Sequence, residues 1–259
     1  MESKQLCGVV RVMGKAAIKA GDLLLRRQAN AKLVDVERFV TDMDLFSEEV
    51  LFPALGEFDP TIPIYSEESG GEARRRGLLW VIDPINGTKN YFRQDDLWSV
   101  SIALVEDGCP IAGAIYAPSK GFLFHVTNND FSCMSSGDLM RTIRVSEEND
   151  FANCQFALDW GRGNHDEAYA MIGRLSRCSK EPLIRGCCTL GMMYVAMGRI
   201  PGYVFHAPTP FDHAAAGLIV QKAGGVVTEL DGSPWSPFST TVVATNGVVH
   251  DRLLQVLRH

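Results

Sequence analysis

Three short stretches of this chain set carboxylates beside glycine and threonine. They are Asp42-Met43-Asp44, Ser66-Glu67-Glu68-Ser69-Gly70-Gly71 and Asp83-Pro84-Ile85-Asn86-Gly87-Thr88. A fourth acid, Asp212, opens the run DHAAAGLIVQKAGG. Carboxylates bind hard divalent cations such as Mg²⁺, and backbone N–H groups at a helix start bind phosphate oxygens. A threonine hydroxyl next to an aspartate can orient and deprotonate a water. Together these are the parts for metal-assisted hydrolysis of a phosphate ester. Taken singly, each acid has a plainer reading. Asp42 or Asp44 suits the first turn of a helix, and Asp212 suits an N-cap. Glu67 and Glu68 suit a solvated loop, and Asp83 a turn before Pro84.

Positioning these residues requires elements, and the hydrophobic pattern supplies them. Residues 5–28 carry apolar positions at helical spacing, from Val9 and Met13 to Leu24. A second helix is expected from Thr41–Asp42, with Thr41 as N-cap and Pro53 ending or kinking it. Ile62 to Tyr65 reads as a short strand, and GLLWVID (77–83) as a strand buried on both faces. Residues 98–106 and 111–117 pair around Asp107-Gly108, a hairpin turn signal. Strands at 121–127 and 142–146 extend an antiparallel sheet. Alternation follows: strands near 154–159, 182–185, 202–205, 226–230 and 241–245, and helices near 165–177, 188–199, 212–223 and from 248. The polar stretch around 146–152 divides the chain into residues 1–147, which hold most of the acids, and 148–259, which supply Asp212. The whole is a layered α/β arrangement.

Composition narrows the function. The 259 residues are 46% hydrophobic and 22% charged, with a net charge of −6, as expected of a folded globular chain. The acidic balance argues against a nucleic-acid partner. No window is apolar enough to span a membrane, and the N-terminal helix, interrupted by Lys15 and Lys19, does not read as a signal peptide. Seven cysteines with no C-x-x-C pair suggest free thiols in a reducing cytoplasm.

The motifs resemble those of the inositol monophosphatase family of Mg²⁺-dependent, lithium-sensitive phosphatases. WVIDPINGTKNYF is similar to its W-x-x-D-P-[ILM]-D-G-T-x-N-[FY] signature, and PFDHAAAGLIVQKAGG to its W-D-x-A-A-G signature. YSEESGG matches its G-E-E-S loop, FVTDMDLFSEE its V-T-x-x-D helix start, and RGCCTLGMMYVAMGRIPGYV a further conserved-type segment of that family. The resemblance spans nearly the whole chain. It implies an αβαβα sandwich of the inositol monophosphatase and fructose bisphosphatase type, two or three Mg²⁺ ions, a small-molecule phosphate monoester as substrate, and a homodimer. By position, it implies that Glu67, Asp83 and the Ile85 carbonyl hold a first metal, with Asp83 bridging to a second held by Asp212. It implies that Asp44 and Thr88 activate the attacking water, while the Gly87 and Thr88 N–H groups hold phosphate. Cys187 and Cys188 are then packing residues.

Two departures stand out. Asn86 occupies the position of the signature's second aspartate, a ligand of the second metal. An amide keeps a carbonyl oxygen but loses the charge, so a weaker second metal is expected. A slow or Mg²⁺-demanding natural enzyme, a non-catalytic relative that binds a phosphorylated ligand, and an engineered Asp-to-Asn change each account for it. Phe205 stands where inositol-specific members carry a glutamate that binds substrate hydroxyls. It either packs against an apolar leaving group or points into the core. Arg162 and Arg185 are candidates for a second anionic group. A sugar phosphate, a nucleoside phosphate or a biosynthetic intermediate would each suit such a pocket. A bisphosphate nucleotidase of the same superfamily is an alternative.

Overall fold

The computed structural model describes residues 3–163 and 165–258. In chain order the helices are α1 (Ser3–Arg27), α2 (Asp42–Gly56), α3 (Thr88–Phe92), α4 (Asp166–Ser176), α5 (Cys188–Ala196), α6 (Pro210–Lys222) and α7 (His250–Arg258). The strands are β1 (Leu33–Asp35), β2 (Val40–Thr41), β3 (Ile64–Ser66), β4 (Leu78–Asn86), β5 (Ser99–Glu106), β6 (Cys109–Ala117) and β7 (Phe122–Thr127). They continue with β8 (Cys133–Ser136), β9 (Leu139–Thr142), β10 (Ala157–Trp160), β11 (Gly202–His206), β12 (Val226–Thr228) and β13 (Thr241–Thr245).

The layers follow from side-chain alternation. β3 to β9 form one sheet in sequence order, antiparallel except for the parallel β3–β4 pair. On one face, Trp80, Ile82, Val100, Ile102 and Ala114 pack against Val9, Met13, Ala17 and Leu24 of α1 and Leu51 and Leu55 of α2. On the other, Leu79, Val81, Ala103 and Ile115 meet Met192 of α5 and Ala215 and Ile219 of α6. The second sheet, ordered β10-β11-β13-β12, closes that same core with Tyr203, Phe205, Val242 and Ala244. Its outer face, with Leu158, Val204 and Val243, packs on Met171 and Leu175 of α4 and Leu253 and Leu257 of α7. Five layers result, helix–sheet–helix–sheet–helix, and the central core is built from both halves of the chain. Gly191 of α5 lets the layers close, since a Cβ there would fall 2.2 Å from the Tyr203 ring.

Several elements differ from the sequence expectation. β4 runs three residues past Asp83 to Asn86, with a bulge between Asp83 and Asn86. Residues 182–185 form no strand beyond a single bridge between Leu183 and Ala157. There the next N–H groups, of Arg185 and Gly186, donate to the buried Asp159 carboxylate at 2.9 and 2.8 Å instead of extending a ladder. The strand expected at 142–146 ends at Thr142, after which Val145 N–H turns to the Ala223 carbonyl at the end of α6. Pro53 sits inside α2, which continues to Gly56. The Asp107-Gly108 hairpin forms with both residues at positive φ, 49° and 80°.

Candidate active site

Asp83 ends the regularly paired part of β4, which stays buried to Asn86, and Pro84 and Ile85 bulge out of register to bring the chain to Asn86 and Gly87. Ser47 of α2 anchors this bulge by donating to the Pro84 carbonyl at 3.0 Å. Gly87 then takes φ 90° as the residue preceding α3. A side chain would be strained there, and its Cβ would lie 2.9 Å from the Leu97 carbonyl oxygen and 3.2 Å from Cys187 Cβ. α3 therefore starts beside Asp83, and its leading N–H groups lack intrahelical acceptors.

Asp44 arrives from the start of α2 through a capping box. Its Oδ2 accepts from the Thr41 N–H at 2.8 Å and the Thr41 hydroxyl at 2.5 Å. Its Oδ1 faces the Thr88 hydroxyl at 3.2 Å. That hydroxyl also lies 2.9 Å from the Ile85 carbonyl, so its single proton chooses between two acceptors. Asp42, by contrast, closes the β1–β2 hairpin by accepting from the Lys32 N–H at 2.8 Å, a structural role.

Glu67 and Glu68 follow β3 in a tight turn closed by the Ser66–Gly70 bridge. Glu48, one turn along α2 from Asp44, holds the turn by accepting from the Ser69 N–H and hydroxyl, each at 3.1 Å. Asp212 sits in the first turn of α6, its Oδ2 accepting from the Thr209 N–H at 2.7 Å and hydroxyl at 2.8 Å. Thr209 is the N-cap and Asp212 the third residue of the helix, so Asp212 is not the N-cap of its plainer reading but the N3 partner in a capping box, placed on the same Asn86 amide as Asp83.

These acids repel one another. Burial, then Asp212, Glu68 and Asp44, push Glu67 up to about 8. Burial and Asp44 push Glu68 up to about 7, although Arg38 opposes it. Burial, then Glu67 and Asp212, hold Asp83 well above the usual carboxylate range. Burial raises Asp44 to about 6 against the pull of its Thr41 and Thr88 hydrogen bonds. Carboxylates so strained toward their protonated form are what a bound cation relieves.

The donor set suits one hard cation. Asp83 Oδ1 is buried with no partner, and Glu67 and the Ile85 carbonyl add oxygen donors of the kind Mg²⁺ takes. Among the described residues, no three His, Cys, Asp or Glu side chains are already converged on one ion position. Each acid has turned to a donor instead. Glu67 Oε1 lies 4.0 Å from Arg162 Nη2, and Glu68 Oε2 lies 3.2 Å from Arg38 Nη2. Asp83 Oδ2 and Asp212 Oδ1 accept from Asn86 Nδ2 at 2.8 and 3.2 Å.

Asn86 corrects the expectation of a weak oxygen ligand. Its Oδ1 points inward, accepting from the Thr189 N–H (3.1 Å), the Thr189 hydroxyl (2.9 Å) and Cys187 Sγ (3.1 Å). The acids face its N–H₂ group. Cys187 is buried, with its thiol pushed up to about 12 by desolvation, and behaves as a packing residue.

The three specificity candidates fall differently. Arg162 reaches the rim of the acid cluster and donates to the Arg38 carbonyl at 2.9 Å. Arg185 corrects its expectation: its guanidinium stacks on the Tyr194 ring at 4.2 Å, because Asp159 turns the backbone there, and no described contact joins it to the acids. Phe205 is likewise corrected, lying 6% exposed in the central core with Tyr203 and Phe211 rather than facing a leaving group. The strand period puts it on the Tyr203 face of β11. Arg38 was missed from sequence. It sits in the β1–β2 hairpin, whose tip packs through Phe39 on Phe92 of α3 at 5.6 Å. Its only signal was its place just before the VTDMD run.

A model of the inositol monophosphatase family matches residues 8–259. The chain is 31% identical over 229 residues to a protein named probable inositol 1-monophosphatase ImpA of Mycobacterium tuberculosis, covering 85% of this chain and 82% of that one. It is 30% identical over 256 residues to a protein named putative Nus factor SuhB of Neisseria meningitidis, covering 94% and 95%. Among solved structures, an IMPase of Thermotoga maritima matches with a TM-score of 0.85 at 28% identity, covering 95% of each chain. The SuhB protein of Bartonella henselae matches with a TM-score of 0.88 at 27% identity, covering 97% and 98%.

Proposed function

The chain belongs to the inositol monophosphatase family, and from that premise we propose that it hydrolyses a small-molecule phosphate monoester with the help of Mg²⁺ held by Glu67, Asp83 and the Ile85 carbonyl. The observation that carries this reading is the Thr88 hydroxyl, shared between the Ile85 carbonyl and Asp44 Oδ1 beside the unpartnered Asp83 Oδ1. The ion, when bound, neutralises phosphate charge and acidifies a water.

The protein's own groups do the rest. Asp44 Oδ2 is saturated by Thr41, so Oδ1 is the atom left to receive a proton through Thr88. A water that donates to Thr88 Oγ1 is thereby aligned by a hydroxyl whose own proton turns to Asp44. An ionised Asp44 accepts that proton at Oδ1 through the Thr88 hydroxyl, which is general-base work. The Gly87 and Thr88 N–H groups at the start of α3 hold phosphate oxygens, and Arg162 meets the anionic end of the substrate at the rim. Phe205 takes no part, so nothing in its position selects for an inositol ring.

Phosphate release from a panel of monoesters, with and without Mg²⁺, tests this reading. Turnover that depends on Mg²⁺ and is lost in Thr88→Val is expected. Absence of release from every monoester would overturn it.

A further inference from the structure

We infer that the Asn86 amide stands in the place of one cation, so that this chain's site takes one divalent ion fewer than an aspartate at position 86 would allow. The inference rests on the phosphatase reading for its purpose but not for its test.

The direction of the amide is decided from inside the protein. The Thr189 N–H is a donor whatever the pH, and it meets Asn86 at 3.1 Å. The Thr189 hydroxyl also meets it, at 2.9 Å, and is itself 2.7 Å from Ser99 Oγ. With Ser99 donating to Thr189 and Thr189 donating onward, the atom of Asn86 that faces them has to be the oxygen. A flipped amide would set N–H against N–H and leave a buried donor without an acceptor.

The other end of the side chain is then fixed as a donor. Nδ2 carries two hydrogens and has two carboxylate acceptors, Asp83 Oδ2 at 2.8 Å and Asp212 Oδ1 at 3.2 Å. An ion between those two oxygens needs lone pairs around it, and here it would meet N–H hydrogens. The two N–H groups supply, as partial charges, the attraction that an ion would otherwise supply. An aspartate at position 86 would use the same inward acceptor but turn a third anionic oxygen toward Asp83 and Asp212, an arrangement that requires a cation.

The ligand set divides accordingly. Asp83 Oδ1 has no partner and remains for the ion shared with Glu67 and the Ile85 carbonyl. Asp212 becomes a positioning residue that holds the Asn86 amide, not a ligand. The expectation from its motif alone is therefore changed by a residue 126 positions away in sequence.

The test counts Mn²⁺ bound per chain by equilibrium dialysis at saturating Mn²⁺, in the presence of inorganic phosphate. The unmodified chain, Asn86→Asp, Asp212→Asn and the double variant are compared, with thermal melts in Mn²⁺ confirming that each is folded. The unmodified chain is expected to bind one ion fewer than Asn86→Asp. Asp212→Asn should leave the count of the unmodified chain unchanged and should remove the extra ion from Asn86→Asp. Equal counts in the unmodified chain and Asn86→Asp would overturn the inference, as would loss of an ion from the unmodified chain on Asp212→Asn. A failed phosphatase reading shows itself separately, as no phosphate release from any monoester whatever the ion count.

Discussion

The Thr88 hydroxyl lies 3.2 Å from Asp44 Oδ1, so one hydrogen-bond path joins a residue at the start of α3 to one in the first turn of α2. The path is short because the β4 bulge and the capping box of α2 each present one group to the same point. Replacing Thr88 with Val keeps the volume and removes the proton. Turnover should fall by about 10²–10⁴-fold, the range of general acid–base contributions. Thr88→Ser should retain most activity. Mg²⁺ affinity, measured by calorimetry, should change little in either variant, whereas Asp44→Asn should abolish turnover.

A bound divalent ion should stabilise the fold, because it relieves the repulsion that strains Glu67, Glu68 and Asp83. At a concentration 100 times its dissociation constant, an ion that binds only the folded chain contributes about 2.7 kcal/mol. Thermal melts should shift upward with Mg²⁺ and return on chelation. Asp83→Asn should abolish the shift, and Asp42→Asn, which disturbs only the hairpin, should not. Equal shifts in both variants would refute the ligand assignment.

Arg38 and Arg162 form the rim over the acids and contact each other through the Arg38 carbonyl. Both are well exposed, so their ion pairs contribute little to stability, about 0–1 kcal/mol. Their effect should appear in substrate affinity. Arg38→Ala or Arg162→Ala should raise KM by roughly tenfold, about 1.4 kcal/mol, for monoesters with a second anionic group. Neutral sugar phosphates should be affected less. A uniform effect on all substrates would place the arginines outside substrate recognition.

Phe205→Ala should cost about 3–5 kcal/mol of stability, as expected of a core phenylalanine, and leave the ratio of activities among monoesters unchanged. A changed ratio at unchanged stability would show that the ring faces substrate. Denaturant unfolding and a two-substrate assay suffice.

His250 sets an acid limit far from the site. It is 5% exposed, with Nε2 3.0 Å from the Thr228 hydroxyl and Nδ1 2.9 Å from the Thr245 hydroxyl. Thr228 donates to the Glu229 carbonyl, so its oxygen accepts from Nε2–H. Thr245 accepts from the Gly247 N–H, leaving its proton for Nδ1. The ring is thus held neutral, and burial lowers its pKa, with Asp251 opposing and Arg258 assisting. The unfolded chain takes up a proton near pH 6.5 that the folded chain resists. Stability from this residue is complete above that pH and falls as pH drops toward the folded value, by at most about 1.4 kcal/mol per pH unit. His250→Gln should be less stable at pH 7.5 and should show a shallower loss between pH 6.5 and 5. An unchanged slope would assign the loss elsewhere.

Local signals carried much of this protein. The 3.6 period of α1, the doubly buried run of β4, the Asp107-Gly108 turn and the Thr41 cap are each properties of a few adjacent residues, and each forms. The order of the acidic motifs identified the family, because Asp83, Gly87 and Thr88 must fall within one six-residue run for a strand end, a left-handed turn and a helix start to meet. What depends on partners far along the chain was not legible. β8 and the β1–β2 hairpin have weak patterns and owe their form to a neighbouring strand or helix, so Arg38 went unseen. Residues 182–185 have the composition of a strand, but past the Leu183 bridge the Asp159 carboxylate captures the Arg185 and Gly186 N–H groups. Phe205 and Arg185 are directed by the face of β11 and by Tyr194. Asn86 shows the division most clearly. Its sequence position marks it as a metal-site residue, yet which of its two amide atoms faces the acids is decided by the Thr189 N–H, 103 positions away. A buried backbone donor has no alternative acceptor there, and only the tertiary fold brings it to Asn86.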